Sequence, residues 1–361
     1  MSSSRIQRLL SLHSRQLKAL ALLTGRPSTS TKSAIAESLD NAIHSSTPRA
    51  AAQQRILSVD MGIKNLAFCV LETSRKVSEK PIYNVIDWKR LNLLAPTVPT
   101  TSLDVDSTAL AGDDVETGSD SDNVAAEDES SSTLLRSEAD DSKNLFTPSK
   151  IAPLAFQLSQ TLLRYNPTMI LIERQRFRSA RGSAVQEWTL RVNMLEAMLW
   201  ACFETTRALS SGHDMQSSLE VREMNPARIA AFWNSKPGMT GDVAGVIGGE
   251  IEADRIEAEG KTARGMEKKE KIKLVTTWID EGAVVGSKDV SDIVNAFGGT
   301  TTRKRGDGLG KKDDLADCLV QGVTAAIWES NTRDLERVLA DGNDTAVEKP
   351  RSSSRVKRSK G

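Results

Sequence analysis

The stretch Arg55 to Glu72, RILSVDMGIKNLAFCVLE, decides the fold. A short apolar run, Ile56 to Val59, ends in a single carboxylate, Asp60. A glycine-containing turn, Met61 to Asn65, leads into a second apolar run, Leu66 to Leu71. Two such runs joined by a turn predict a buried strand and an antiparallel partner. Asp60 is the odd residue. A carboxylate at the end of an apolar strand must be paired, protonated or bound to a cation, unless it merely caps the turn.

The neighbouring segments repeat and extend this arrangement. Pro81 to Leu91 predicts a third strand that closes an antiparallel meander. Ile151 to Tyr165 carries apolar residues at helical spacing, and Asn166-Pro167 ends it. Met169 to Ile172 is then a second short apolar strand, and it too delivers one carboxylate, Glu173. Arg174, Arg176, Phe177, Arg178 and Arg181 follow at once. Arginines interleaved with an aromatic suit a phosphate backbone and an unstacked base, or form a basic surface loop. Glu187 to Thr205 predicts a long apolar helix with Trp188, Val192, Leu195, Leu199 and Cys202 on one face. A strand over Ser218 to Met224, a short helix over Pro226 to Trp233 and a lysine-studded helix over Glu267 to Glu281 come next. Gly298 to Lys312 reads as a basic loop. The last helix opens on Lys311-Lys312-Asp313-Asp314-Leu315-Ala316-Asp317, with a stripe of Leu315, Leu319, Val323, Ala326 and Ile327. Asp317 lies three residues from Asp314 and four from Asp313, so either pair shares a helical face. First-turn acids are also ordinary helix-dipole chemistry, but three exceed what capping requires.

Composition narrows the chemistry. No apolar run approaches the length of a membrane span. The cysteines, Cys69, Cys202 and Cys318, are far apart in apolar stretches, which fits buried free thiols in a reducing compartment. The histidines, His13, His44 and His213, lie in polar or terminal segments, which argues against Ser-His-Asp and Cys-His catalysis. The formal net charge is zero, but Thr101 to Asp141 holds about 13 acidic residues and one basic, Arg136. About 35 acidic and 47 basic residues remain elsewhere, and a basic body suggests a polyanionic partner, nucleic acid first.

Residues 1–50 carry two overlapping signals. No acidic residue occurs from Met1 to Ala36, where Arg5, Arg8, Arg15, Lys18, Arg26 and Lys32 recur among serines and leucines, as in an organelle transit peptide. The same stretch predicts one helix over Leu9 to Leu23 ended by Thr24-Gly25, a polar hinge over residues 26–32 and a second helix over Ser33 to Ile43. It resembles a SAP-like DNA-binding hairpin, and a short leader followed by that hairpin accommodates both signals. Residues 51–335 then form the main domain. It is interrupted by an acidic disordered insertion over 96–145 and a Gly/Glu-rich insertion over 236–266. A basic disordered tail occupies 336–361.

Asp60, Glu173, Asp314, Asp317 and Asp313 make a carboxylate set with no His or Cys, which suits Mg²⁺ or Mn²⁺. Paired ions of that kind hold the attacking and leaving oxygens of a phosphodiester in line, and Lys311 or Lys312 would steady transition-state charge. An actin-like ATPase also begins with Asp-x-Gly after a strand, but it needs a second phosphate loop of that kind, and Asp307-Gly308 in the basic loop lacks a preceding apolar strand. The blocks at 59–66, 171–179, 187–196 and 311–317 resemble the fungal mitochondrial Holliday junction resolvases, of the RuvC-like branch of the ribonuclease H-like fold. The resemblance implies an α/β fold with a mixed central sheet flanked by helices. It implies a homodimeric, Mg²⁺-dependent endonuclease acting on four-way junctions of mitochondrial DNA, with Lys64 joining the arginines and Lys311 and Lys312 as DNA contacts. Helix geometry alone does not choose between Asp313 and Asp314. The related bacterial resolvases pair two late aspartates three apart, which points to Asp314 with Asp317. A junction-binding architectural protein of the same fold is the alternative.

Overall fold

The structure is a computed structural model and describes residues 2–45, 54–74, 81–94, 146–175, 187–209, 219–235, 242–249, 265–298 and 312–341. Six strands form one sheet: β1 (Gln54–Asp60), β2 (Leu66–Ser74), β3 (Ile82–Leu91), β4 (Met169–Glu173), β5 (Glu220–Met224) and β6 (Val284–Gly286), in the order β5-β4-β1-β2-β3-β6. β1, β2 and β3 pair antiparallel, as the meander reading expects. β4, β5 and β6 join in parallel, which their helical crossovers permit. Gly62 makes the first turn possible: a Cβ there would lie 2.9 Å from the Asn65 carbonyl oxygen.

Strand alternation divides the apolar residues between two faces. Leu57, Val59, Phe68, Val70, Ile170 and Ile172 face helices α4 (Pro148–Leu163) and α5 (Glu187–Leu209). Asn166 turns the chain out of α4 with φ 47°, a left-handed conformation asparagine tolerates. Along α5 the buried residues are Val192, Leu195, Leu199 and Phe203. Trp188, expected on that face, is instead 42% exposed at the start of the helix.

The opposite face, with Ile56, Ala67, Cys69, Leu71, Met169 and Leu171, is covered by a 30-residue helix, Lys312–Asp341. It is α10 in chain order, after α6 (Pro226–Asn234), α7 (Val243–Gly248), α8 (Lys268–Asp280) and α9 (Ser291–Phe297). Gly322 lets α10 touch the sheet, since a Cβ there would meet Leu71 Cδ1 at 2.5 Å and Ser58 Cβ at 3.3 Å.

The N-terminal stretch departs from a two-helix hairpin. It forms α1 (Ser2–Ser11), α2 (Ser14–Leu23) and α3 (Lys32–Ser45). The first predicted helix is split because His13 adopts extended backbone and its N–H is taken by the Gln16 side chain, 2.8 Å away, which restarts the helix. These helices bury Leu9, Leu17, Leu20, Ile35 and Leu39 in the same cluster as α10. In the expected phosphate-gripping hinge, Arg26 lies among Arg222, Glu329 and Arg228, and burial lowers its pKa. The Gly/Glu-rich stretch contains α7, whose Val243 and Val246 are buried in that cluster. The acidic insertion at 96–145 and the basic stretch beyond residue 341 lie outside the described residues.

Candidate active site

Two parallel strands set the first half of the site. Val59 of β1 pairs with Ile172 of β4, so the next rung brings Asp60 and Glu173 level at the carboxyl ends of neighbouring strands. Ile56 and Met169 face α10, and a period of two puts Asp60 and Glu173 on that same face. α10 supplies the second half. Leu315 and Leu319 are buried on the sheet, and the helical period leaves Asp314 and Asp317 at the edge facing the strand ends. The other three carboxylates act on Asp60. Burial first, and then Glu173, Asp317 and Asp314, hold the Asp60 carboxyl well above the usual carboxylate range.

Two lysines face these acids from α8. Lys271 Nζ lies 2.7 Å from Asp317 Oδ1, and Lys268 pairs with Asp313. Burial raises the Asp317 pKa even though Lys271 acts against it. Asp313 is thus turned towards Lys268, whereas Asp314 is one of the charges that Asp60 feels. A further acid borders the site. Glu196 of α5 accepts the backbone N–H of Gln175, and burial raises its pKa.

The remaining sequence candidates fall in different places. Lys64 is exposed in the turn after Asp60. Arg174 is exposed beside Glu173 and pairs with Glu223 at 3.2 Å. Lys312 is turned away from the carboxylates: its Nζ donates to the Ala296 carbonyl at 2.6 Å and lies 5.6 Å from the Phe297 ring. The first helical position points that side chain back towards the preceding α9. Arg176, Phe177, Arg178, Arg181 and Lys311 lie outside the described residues. Sequence reasoning passed over Lys268, Lys271, Glu196 and Gln321. The three-residue spacing of Lys268 and Lys271 marks a single helical face, but nothing in the sequence says which acids that face meets.

A cavity of about 280 Å³ opens beside the cluster, between Glu173, Lys271, Asp317 and Gln321 on one side and Pro226 and Ile229 of α6 on the other. No group of three or more His, Cys, Asp or Glu among the described residues is arranged to hold a metal ion as the side chains stand. The donor set nevertheless fits a hard cation. It is all oxygen, and carboxylates that raise one another's proton affinity are relieved by positive charge. Lys271 occupies one of the two Asp317 oxygens, Oδ1.

Comparison with known proteins places this arrangement. Residues 56–335 match the family described as "Mitochondrial resolvase Ydc2 / RNA splicing MRS1". The chain belongs to this family. The match begins four residues before Asp60 and runs past Asp317, so the Ydc2/MRS1 region takes in both strand ends, α8 and the start of α10. The chain is 30% identical to the mitochondrial cruciform cutting endonuclease 1 of Schizosaccharomyces pombe over 182 residues. That alignment covers 50% of this chain and 53% of the relative, about half of its length. It is 22% identical to the protein of the same name from Saccharomyces cerevisiae, over 79% of this chain and 71% of the relative. The crystal structure of the yeast mitochondrial Holliday junction resolvase Ydc2 shares the fold, with a TM-score of 0.53 and 21% identity. The likeness covers 90% of this chain and 98% of that one.

Proposed function

We propose that this chain is a divalent-metal-dependent endonuclease that resolves four-way DNA junctions in mitochondria, acting as a homodimer. The family description joins a resolvase to an RNA splicing protein, so membership alone does not choose the activity. The carboxylates carry the choice. Asp60, Glu173, Asp314 and Asp317 meet at the ends of two strands and one helix, with Glu173 and Asp317 lining a cavity, and clustered carboxyls with raised proton affinity in a cleft are the mark of a functional site. The names of both fungal relatives, cruciform cutting endonucleases of mitochondria, support the substrate and the compartment.

Asp60, Glu173, Asp314 and Asp317 would hold Mg²⁺ or Mn²⁺, which supplies charge neutralisation at the phosphate and activation of the attacking water. With the cation bound, Asp60 would act as an ionised carboxylate ligand. Lys271, released from Asp317, offers its ammonium to a phosphate oxygen across the cavity mouth. Lys64 and Arg174, exposed on either side of the two strand ends, contact flanking phosphates. The homodimer reading rests on exposed large apolar side chains on the two helices of the far layer. Phe156 of α4 is 57% exposed, and Trp188 and Leu190 of α5 are 42% and 50% exposed.

The test compares a synthetic four-way junction with a linear duplex of the same sequence, with Mg²⁺ and with chelator. Paired incisions in the junction only, and only with Mg²⁺, are expected. Equal cutting of both substrates, or junction binding without incision, overturns the reading.

A further inference from the structure

Gln321 lies one helical turn after Asp317 on α10 and is 2% exposed. Its amide enters the sheet where the two carboxylate-bearing strands end. Nε2 donates to the Ser58 hydroxyl at 3.0 Å, to the Val59 carbonyl at 3.1 Å and to the Leu171 carbonyl at 3.4 Å. Val59 immediately precedes Asp60, and Leu171 lies two residues before Glu173. One side chain thus joins β1, β4 and α10 at the three places from which the acids project. Its other end is unsatisfied: Oε1 is buried with no hydrogen-bond partner among the described residues. A buried carbonyl oxygen without a donor is unfavourable, and Leu or Met would fill similar volume without it. Packing alone therefore does not account for glutamine here.

The neighbouring contacts define what the amide adds. Gly322 brings α10 against Ser58 and Leu71, which fixes its distance from the sheet but not its position along its own axis. Trp88 Nε1 donates to the Leu315 carbonyl at 3.0 Å from the β3 side. Gln321 is the corresponding contact on the β1 and β4 side. Asp317 and Asp314 lie about 6 and 10 Å along the helix from it, at 1.5 Å per residue, so a slip or tilt at Gln321 displaces both.

We propose that Gln321 is a positioning residue of the cluster: it fixes the height of α10 against β1 and β4, so that Asp314 and Asp317 come level with Asp60 and Glu173. The inference rests on the metal-dependent reading above. Groups that orient metal ligands from behind change metal affinity about 10- to 100-fold when removed, while the fold and the surface that grips DNA are left alone.

The experiment titrates Mn²⁺ into full-length wild type, Gln321→Met, Ser58→Ala and Asp317→Asn by calorimetry, with thermal unfolding and junction binding in chelator as parallel readouts. Gln321→Met leaves the buried Ser58 hydroxyl without this donor, so its unfolding midpoint is expected to fall modestly, while junction affinity in chelator holds and Mn²⁺ binding weakens about 10-fold or more. Its Mg²⁺ requirement for cleavage shifts upward by the same factor. Ser58→Ala removes one of three acceptors, keeps the fold if Gln321→Met does not, and is expected to weaken Mn²⁺ binding a few-fold. Wild-type Mn²⁺ affinity in both variants overturns the positioning role. Should Asp317→Asn also titrate like wild type, the metal-binding reading fails with it, and the two failures are thereby distinguished.

Discussion

Asp60 is where the energetics of the site concentrate. Its side chain is half-buried beside Glu173 and Asp317, and desolvation and those charges push its carboxyl well above the usual range. A group whose pKa is higher folded than unfolded contributes stability that is complete below the unfolded pKa and is lost as pH rises through the folded value. In chelator, the protein should therefore lose stability from about pH 4 upward, where free carboxyls ionise, as far as the raised Asp60 pKa. Asp60→Asn removes that loss. It is expected to be more heat-stable than wild type at neutral pH. The gap should close towards pH 4. Unfolding scans across this range check it, and a variant less stable than wild type at neutral pH contradicts the burial argument. The carboxylates themselves were legible as residues, because a charge that ends an apolar strand stands out twice, at Asp60 and Glu173. Their counter-charges were not. Lys271 reads as one lysine among many on α8, and only the packing of α8 on α10 brings it 2.7 Å from Asp317.

At the scale of elements, the four strands with strong apolar runs, β1 to β4, follow from pattern alone, as does β5 with its Pro226 stop. β6 does not. It has three residues and exists only because β3 offers it a parallel edge, Tyr83 with Val284 and Val85 with Gly286. The split between α1 and α2 was equally hidden, since leucines continue through it and only the His13 backbone interrupts the helix. The outward side of α4 and α5 carries the dimer proposal. Phe156 and Leu190 are exposed, and a Glu at either should cost nothing in the core. Phe156→Glu with Leu190→Glu is expected to halve the solution mass measured by light scattering and to leave the circular dichroism spectrum unchanged. A wild-type monomer, or an unaffected dimer, removes this patch as the interface.

The whole molecule is organised about α10. It lies on one face of the sheet, gathers α1 to α3 with α6, α7 and α8 into a shared cluster, and carries two of the four acids. The N-terminal helices are thereby part of the main core, a property that amphipathic patterning could not disclose because it reports which face is apolar and not what covers it. Deleting residues 101–141 is expected to leave the unfolding transition cooperative with its midpoint little changed, and a large drop would assign that stretch a structural role. The central claim is that Asp60 and Glu173 serve chemistry while the basic body supplies affinity. The direct measurement is single-turnover cleavage and gel-shift binding of one synthetic four-way junction by wild type, Asp60→Asn and Glu173→Gln in Mg²⁺. The account predicts that both variants bind within a few-fold of wild type and make no incisions, whereas Mg²⁺-dependent incision by either purified variant contradicts it.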